Sequence, residues 1–338
     1  MKVLHVIDTL NVGGAEKVFV MLTSLLRKQG VHCDALLLHN VGQLLQAVDP
    51  QVTLYTLDRT NKYSAKKLKQ AHDLCKQYDI IHVHLRHCYA YIRLAQIIFK
   101  GKYKLILHDH SSMIPPSKPF RLAGIFKPRF YIGVSEKMTK WAKYDLQIAN
   151  CFTLSNTISS SADINYQYPG DNEAILISNI REVKQIPLAI EICQQANLAL
   201  TIYGNRQDET YFETVAQIAN AAKVQIKGNV VDFTDIFSNY SIALHTSRSE
   251  TGPLVLLEYL ANGIPFLAYN TGSVAETIAH ELPLHFINTF HTNDWVERII
   301  QIRAQGDISQ KLKKVFSKYY SADDYVQQCL NIYESVLY

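Results

Sequence analysis

The chain has 338 residues, 48% hydrophobic and 19% charged, which is the composition of a globular protein with room for two domains. It contains no run of about 18 apolar residues, and the apolar segment after Met1 is too short for a signal peptide, so neither a transmembrane helix nor export is expected. The six scattered cysteines include no CxxC pair, which favours a reducing cytoplasm over disulfides or a zinc site.

Charge is distributed unevenly along the chain. Residues 1–150 hold 22 Lys and Arg against 10 Asp and Glu, whereas residues 151–338 hold 12 against 20, for a net charge of +4. This asymmetry indicates two domains that face different partners. The basic half favours an anionic membrane surface or a phosphate-bearing acceptor, although a solvated basic surface explains it equally well.

Short apolar segments alternate with helix-length segments along the whole chain. The first half predicts strands at 3–8, 32–38, 52–57, 80–84, 104–108 and 131–135, with helices at 15–30 and 64–78. The second half predicts strands at 174–178, 199–204, 224–228, 242–247, 265–269 and 284–287. Such alternation predicts an α/β fold with two parallel sheets, each covered by helices, and therefore two Rossmann-like domains.

The polar segment 159–173 divides the chain into domains. We place the N-terminal domain at 1–160 and the C-terminal domain at 170–322. The tail at 323–338 is an amphipathic helix that we expect to pack back on the N-terminal domain. Because ligands of α/β sheets bind at the carboxyl ends of the strands, the loops that follow the strands are where binding residues are expected.

In the first half, three such loops carry candidate binding residues. Gly13 and Gly14 follow the first strand and allow close approach of backbone to a ligand, although a tight turn before a helix is the alternative. Two later strands end in pairs of histidines, His82 with His84 and His108 with His110. Alternate residues on a strand share a face, but a metal also needs convergent neighbours. We therefore expect hydrogen-bonding histidines without a metal, with His110 as a substrate contact.

In the second half, Asn179, Arg181 and Lys184 follow the strand at 174–178. A lysine near a helix start at the carboxyl end of a strand can meet a diphosphate as a mobile point charge. Arg181 could do the same or simply be solvated. No Walker loop and no serine nucleophile motif is present, so nothing favours a kinase or a hydrolase.

Segment 247–269 is the most informative part of the chain. Glu250 and Glu258 lie eight positions apart, and a helix is expected to begin around Pro253, a residue suited to a first turn. The unpaired N–H groups at such a terminus bind phosphates. Two carboxylates beside this terminus suit a ligand with hydroxyls and a diphosphate, such as a nucleotide sugar. The alternative is that neither glutamate binds a ligand. Glu250 would then be stabilised by the helix dipole in the first turn, and Glu258 would be a solvated or paired helix residue.

Several motifs occur in an order that resembles the retaining glycosyltransferases of family 4. They are GGAE at 13–16, HVH at 82–84, LHDHS at 107–111, VSE at 134–136, SNT at 155–157, IYGN at 202–205, KGNVVD at 227–232 and ETGPLVLLEYLANGIP at 250–265. The resemblance spans nearly the whole chain. It implies the GT-B fold, in which two Rossmann-like domains face each other across a cleft.

The resemblance also implies roles for individual residues. The catalytic residues would be Glu250 at the sugar hydroxyls, Lys184 at the diphosphate and His110 beside the transferred sugar. Glu258 would bind the ribose. The remaining donor contacts would be Gly13, Gly14, Asn179, Arg181, Gly228, Asn229, Val230, Thr251, Gly252, Pro253, Leu254 and Val255. Asn179 stands where many relatives carry an arginine. Either Arg181 or Arg248 then supplies a second cation, or one lysine and the backbone hold the phosphates.

The resemblance implies transfer of a sugar from a nucleotide sugar, with UDP as the expected nucleotide, and neither a metal nor another cofactor. The expected acceptor is a saccharide or lipid-linked saccharide of an envelope polysaccharide, with no nucleic acid as partner. Segment 111–130 mixes basic and aromatic residues and would seat a cytoplasmic protein on the inner face of the membrane, or is an ordinary connection. A non-hydrolysing nucleotide-sugar epimerase and a non-catalytic nucleotide-sugar binder remain alternatives. A nicotinamide dehydrogenase is disfavoured, since GxGxxG is missing.

Overall fold

The structure, a computed structural model, describes residues 1–59, 64–110, 124–159, 166, 172–228, 230, 233 and 235–338. The chain divides into two compact units. One comprises Met1–Ser159 together with Ala322–Tyr338, and the other comprises Ser160–Ser321.

The first unit is built on a parallel sheet of seven strands. They are β1 (Lys2–Ile7), β2 (His32–Leu37), β3 (Leu54–Thr56), β4 (Ile80–His84), β5 (Lys104–Asp109), β6 (Phe130–Gly133) and β7 (Asn150–Thr153), in the order β3-β2-β1-β4-β5-β6-β7. Its first helices are α1 (Gly14–Lys28), α2 (Ala65–Cys75), α3 (Arg86–Ile98) and α4 (Glu136–Tyr144). The sequence did not predict β7, whose short and half-buried segment lacks an apolar run.

The second unit is built on a parallel sheet of six strands. They are β8 (Glu173–Ile177), β9 (Ala199–Tyr203), β10 (Gln225–Lys227), β11 (Ile242–His245), β12 (Phe266–Tyr269) and β13 (Phe286–Ile287), in the order β10-β9-β8-β11-β12-β13. The helices are α5 (Ile186–Gln195), α6 (Glu209–Ala221), α7 (Leu254–Asn262), α8 (Gly272–Ile278), α9 (Thr292–Arg303) and α10 (Ser309–Tyr319).

The last helix, α11 (Ala322–Leu337), belongs to the first unit and packs against α1. Its apolar face is buried and includes Tyr325, Cys329 and Tyr333. No helix in the described part of the chain is both long and apolar enough to cross a membrane.

The strand order of each sheet reverses at one point. In the first sheet this point lies between β1 and β4, and in the second between β8 and β11. Loops at the carboxyl ends of strands diverge there and leave a crevice, which is where ligands of open α/β sheets bind. The loops that follow these four strands carry Gly13, the residues after His84, Lys184 and Glu250.

Candidate functional site

Lys184 and Glu250 meet beside the reversal point of the second sheet. Lys184 ends a short 3-10 turn, Glu182–Lys184, between β8 and α5, and Glu250 lies between β11 and α7. The Lys184 Nζ donates a hydrogen bond to Glu250 Oε1, and the two side chains are only 14% and 9% exposed. Two residues 66 positions apart are thus joined by a nearly buried ion pair.

Two hydrogen bonds to backbone carbonyls hold the two loops together. The backbone N–H of Arg248 donates to the carbonyl of Val183 at 2.8 Å. The Thr246 hydroxyl donates to the carbonyl of Lys184 at 2.9 Å. The ion pair is therefore positioned by the main chain on both sides, which reduces the cost of ordering a long lysine side chain.

His245 is a third member of this cluster that the sequence did not indicate. It ends β11, is 3% exposed, and its Nε2 lies 3.3 Å from Glu250 Oε1. Both ring nitrogens are buried, and neither makes a hydrogen bond of good geometry among the described residues. Burial by itself would raise the pKa of Glu250, but the Lys184 charge and the His245 ring outweigh it, so that the pKa is lowered and the carboxylate stays ionised.

Gly272 fixes the position of Glu250 from the other side. Its φ is +83°, which disfavours residues with a Cβ, and an added Cβ would lie 3.0 Å from the Cβ of Glu250. Neighbouring residues add two hydrogen bonds, from the N–H of Glu250 to Thr271 Oγ1 at 3.3 Å and from the N–H of Ser273 to the carbonyl of Thr251 at 2.8 Å. The loop before α7 therefore depends on the start of α8.

Helix α7 begins where the sequence predicts. Pro253 is its N-cap in an extended conformation, no side chain caps this end among the described residues, and the first turn has no acidic residue. Leu254 is buried, whereas Val255 and Glu258 are partly exposed and, at a spacing of three, share one face. An N-terminus with uncapped N–H groups thus adjoins a half-open helix face that carries a carboxylate.

The other predicted residues of the second unit are more scattered. Asn179 is half-buried in a loop packed on Gly204, where an added Cβ would lie 2.0 Å from the carbonyl oxygen of Ser178. The Arg181 Nε is buried and has no partner among the described residues. Arg248 instead donates to Gln185 Oε1 at 3.3 Å.

The region expected to flank a nucleotide base follows β10. Gly228 is exposed and Val230 is partly exposed, and space around Gly228 is open to 4 Å within the described part of the chain. Asn229 lies outside the described residues.

Gly13 and Gly14 lie in the first unit, at the start of α1. Gly13 is the N-cap in an extended conformation, and Glu16 folds back so closely that an added Cβ at Gly13 would lie 2.3 Å from its Oε2. Burial raises the pKa of Glu16. A ligand that approaches these glycines therefore also meets the Glu16 side chain.

An ionic cluster that the sequence did not single out follows β1. Asp8 Oδ1 accepts a hydrogen bond from Arg59 Nη2 at 3.0 Å, and Asp8 Oδ2 lies 3.3 Å from His87 Nε2. The His87 hydrogen bond is the main cause that lowers the Asp8 pKa. A single aspartate after a strand carries no motif, so this cluster could not be predicted from the sequence.

His110 lies just after β5 and is partly exposed. Its Nε2 is 3.0 Å from His84 Nδ1, and His84 Nε2 is 3.0 Å from His5 Nδ1. His84 and His110 thus form hydrogen bonds, as expected, whereas the contact of His110 with a substrate stays a prediction. His5, in the middle of β1, was missed because a lone histidine in an apolar strand gives no signal.

The same network continues through α11. The Tyr333 hydroxyl lies 3.0 Å from His5 Nε2 and 2.7 Å from His82 Nδ1. His82 Nε2 in turn lies 3.0 Å from His108 Nδ1. Four of the five histidines are buried, and burial lowers the pKa of all five, to about 3 for His5 and for His110. The rings are therefore neutral near pH 7.

Asp109, between two histidines of this network, has a structural partner. Its Oδ2 accepts hydrogen bonds from Arg86 Nε at 2.7 Å and from the Tyr131 hydroxyl at 2.9 Å, and Asp109 is 1% exposed. A buried carboxylate paired in this way orients the end of β5, from which His110 projects.

Segment 111–130 is only partly described, since residues 111–123 lie outside the described ranges. Ile125 is 62% exposed, but Phe130, which the sequence placed on a membrane-facing loop, is 6% exposed. That placement of Phe130 was wrong because β6 begins at this residue and turns its side chain into the core.

Comparison with known proteins places this chain in a family. The family model Glycosyltransferase Family 4 matches residues 12–157, and Glycosyl transferases group 1 matches residues 161–319. Comparison with curated protein sequences finds no significant match.

Solved structures are similar over nearly the whole chain. HepE of Anabaena in complex with UDP-glucose is 17% identical with a TM-score of 0.81, covering 99% of this chain and 100% of that one. A glycosyltransferase from Rickettsia africae is 15% identical with a TM-score of 0.80, covering 99% and 98%. TarM of S. aureus, in a complex that includes UDP, is 13% identical with a TM-score of 0.76, covering 98% and 100%. These likenesses confirm the GT-B fold.

The class of protein is therefore a glycosyltransferase of GT-B fold. Because the two family matches together span nearly the entire chain, the chain belongs to the group 1 and family 4 glycosyltransferases. The fold and the family that the sequence motifs indicated are both confirmed.

Proposed function

We propose that the protein is a retaining glycosyltransferase that moves a sugar from a UDP-sugar to a saccharide or lipid-linked saccharide acceptor in envelope polysaccharide biosynthesis. The observation that carries the proposal is the Lys184–Glu250 pair, positioned by the main chain beside the uncapped N-terminus of α7. The UDP-glucose complex of HepE and the UDP complex of TarM, both similar in fold, support UDP as the nucleotide.

The chemistry requires stabilisation of the leaving diphosphate, on which negative charge grows as the glycosidic bond breaks. Lys184 and the N–H groups at the start of α7 supply positive charge there, and such preorganised donors are often the largest catalytic contribution. Glu250 holds Lys184 until the donor binds and then accepts hydrogen bonds from sugar hydroxyls. Glu258, on the half-open face of α7, binds the ribose.

Retention follows in this proposal from attack on the face from which the diphosphate leaves. Neither glutamate is assigned as a nucleophile, and no metal is required. His110 and the backbone of Gly13 and Gly14 complete the contacts to the sugar and the diphosphate. Arg181, whose buried Nε has no partner among the described residues, is the candidate for the second cation in place of the arginine that Asn179 replaces.

The donor is tested by thermal shift with UDP-, GDP- and ADP-sugars. A ligand that binds only the folded protein raises its apparent stability. We expect stabilisation by one UDP-sugar, reduced in Lys184→Ala and in Glu258→Ala but retained in Glu297→Ala, an exposed glutamate of α9. Stabilisation by none of these nucleotide sugars contradicts the proposal. The anomeric configuration of the product by NMR then tests retention, and free product made without acceptor would indicate an epimerase.

Attachment to an anionic membrane is supported by a basic surface on the first unit. A cavity of about 350 Å³ is lined by Arg93, Lys102, Lys104, Lys127 and Arg129 among others, and none of its lining residues in the described part of the chain is acidic. Lys104 begins β5, so this surface lies at the amino ends of the strands. Basic clusters of this kind attract anionic headgroups.

Co-sedimentation with vesicles of neutral and of anionic lipid tests this attachment. We expect salt-sensitive binding to anionic vesicles that is lost when Lys102 and Lys104 are both replaced by Glu. The matched control replaces Lys137 and Lys143, two exposed lysines of α4, by Glu and so changes the net charge equally. Equal loss in both variants would indicate only a general charge effect and would contradict a specific surface.

A further inference from the structure

Five histidines and one tyrosine of the first unit form a hydrogen-bond chain, and the Cys329 thiol is a further hydrogen-bond neighbour of the tyrosine hydroxyl. In order, it runs through His110, His84, His5, Tyr333, His82 and His108. All five links measure 2.7–3.0 Å, which is the range of good hydrogen bonds. One end, His110, is partly exposed, and the other end, His108, is buried.

Counting protons limits the chain to three states. A neutral imidazole has one donor and one acceptor nitrogen, whereas a tyrosine oxygen can donate once and accept twice. Every link needs one donor and one acceptor, so on each side of Tyr333 the tautomer of one ring determines the next. In two of the states all five histidines carry their proton on the same nitrogen, either Nδ1 or Nε2. In the third state Tyr333 accepts from both neighbouring rings and donates to the Cys329 thiol, so that His82 and His108 carry the proton on Nδ1 and the other three histidines on Nε2.

The buried end selects between these states. His108 Nε2 is buried without a partner among the described residues. In the Nε2 state it would be an N–H without an acceptor, whereas in the Nδ1 state it is a lone pair without a donor. Orphaned buried N–H groups are the rarer of the two in proteins. The state with all protons on Nε2 is therefore disfavoured. The third state gives the Tyr333 proton to a thiol, which is a weak acceptor, instead of to the ring nitrogen of His5, so the state with all protons on Nδ1 is favoured.

We propose that this chain holds all five histidines as Nδ1–H tautomers, so that His110 presents an N–H from the one ring nitrogen that the chain does not use. His84, His5 and Tyr333 are then positioning residues that act through His110. This rests on the proposed function in one respect, because the N–H of His110 would donate to a hydroxyl oxygen of the transferred sugar. The tautomers themselves are independent of any activity.

Tyr333 has a distinct role that makes the proposal testable. Tyr333→Phe removes the only hydroxyl and divides the chain in two. The pair of His82 and His108 then contains one N–H without an acceptor in either tautomer. Neither tautomer of this pair is therefore preferred. His5, by contrast, is left with only an unpaired lone pair in the Nδ1 state, so His84 and His110 keep their tautomer.

The experiment is two-bond ¹H–¹⁵N correlation NMR on protein labelled with ¹⁵N-histidine, which distinguishes the two tautomers of each ring. In the wild type we expect five histidines in the Nδ1–H form that do not titrate between about pH 5 and 8, in keeping with their burial. In Tyr333→Phe only His82 and His108 should become tautomer mixtures. Mixed or Nε2–H tautomers in the wild type would overturn the proposal without the need for any variant.

Tyr325→Phe is the matched control. Tyr325 lies on the same helix and is also buried, but its hydroxyl has no partner among the described residues. We expect all five tautomers to be unchanged. An equal response in both variants would show repacking of α11 rather than a broken chain and would overturn the role of Tyr333.

A metal ion is the rival occupant of this network. Ring nitrogens of His5, His82 and His84, and likewise of His84, His108 and His110, lie within 4.8 Å of one another. A metal would bind lone pairs that the chain uses as acceptors. Titration with Co²⁺ and Zn²⁺ should therefore show no metal bound by these histidines, and one tetrahedral Co²⁺ per chain that is bound by the wild type but not by His84→Phe would overturn the proposal. The comparison with this variant is needed because ligand atoms of Asp8, His87 and Cys88 also lie within 4.8 Å of one another.

Activity provides a separate measurement. His84→Phe removes the donor to His110 Nε2, and we expect His110 to become a tautomer mixture and kcat to fall at least tenfold with a smaller change in KM. If the protein proves not to transfer sugar, the NMR result in the wild type still decides the tautomers. If transfer occurs but the tautomers are mixed, only the present inference fails.

Discussion

Lys184 and Glu250 are paired across two loops of the second unit, and each neutralises the other before any donor is present. The pair is nearly buried, so breaking it without replacement would leave an uncompensated charge. A diphosphate that takes over Lys184 supplies such a replacement. Glu250 then needs new donors, which sugar hydroxyls and His245 can provide.

Loss of Lys184 should reduce turnover more than donor binding. Lys184→Ala removes a cation from the leaving group and should cost about 2–4 kcal/mol of transition-state stabilisation, by analogy with the loss of one oxyanion donor. Steady-state kinetics with the UDP-sugar measure this. Lys314→Ala, an exposed lysine of α10, is the control and should retain full activity. Full kcat in Lys184→Ala would show that the lysine is not catalytic.

Glu250→Gln should separate binding from transfer. Without the carboxylate, the whole charge of Lys184 is available to the diphosphate, so UDP should bind at least as tightly as in the wild type. Turnover should nevertheless fall, because the contact to the sugar hydroxyls is weakened. Calorimetric titration with UDP, beside steady-state kinetics, measures both effects. Clearly weaker UDP binding would mean that Glu250 serves mainly to position Lys184.

Gly272→Ala should damage the site as well as the fold. Its φ of +83° costs about 1–2 kcal/mol for alanine, and the added Cβ would press on the Cβ of Glu250. Gly306→Ala is the matched control, because its φ is +71° but no atom lies within 4 Å of its added Cβ in the described part of the chain. Both variants should melt earlier, but only Gly272→Ala should lose UDP binding. Unchanged UDP binding in Gly272→Ala would contradict the packing argument.

The sequence predicted most of the fold because buried strands are short apolar runs at regular intervals. IIHVH at 80–84 forms β4 at those limits, and helix α7 starts directly after Pro253. Strand β7 escaped since its NCFT segment is mixed in character and half-buried. Phe130 was misplaced because an aromatic residue near basic ones reads the same in a loop as at the start of a strand.

The site was predictable where a motif fixes the spacing, and not elsewhere. Glu250 and Glu258 share one short segment, and Lys184 follows a strand in a recognisable way. His245, Asp8, His5 and Tyr333 act through contacts between elements distant in sequence. Tyr333 is 328 positions from His5, and no local pattern could have paired them.

The buried histidines of the first unit should make it more sensitive to acid than the second. Five histidines there stay neutral in the folded protein, with pKa values of about 3 for His5 and for His110, whereas in the unfolded chain they take up protons below about pH 6.5. The unfolded state thus binds more protons, and stability falls as pH drops below 6.5 by up to about 1.4 kcal/mol per pH unit for each histidine. In the second unit, His285, with a pKa of about 4, adds one such group.

The two tryptophans of the chain report this difference, since Trp141 lies in α4 of the first unit and Trp295 in α9 of the second. Trp295→Phe and Trp141→Phe each leave one reporter, and fluorescence during titration from pH 7 to pH 3 measures the two transitions. The transition at Trp141 should come at the higher pH. His84→Phe removes one titrating group. The free energy of unfolding of this variant should therefore fall less between pH 7 and the pH of that transition than the free energy of unfolding of the wild type. Coincident transitions in the two single-tryptophan proteins would show that the units unfold together and would contradict this prediction.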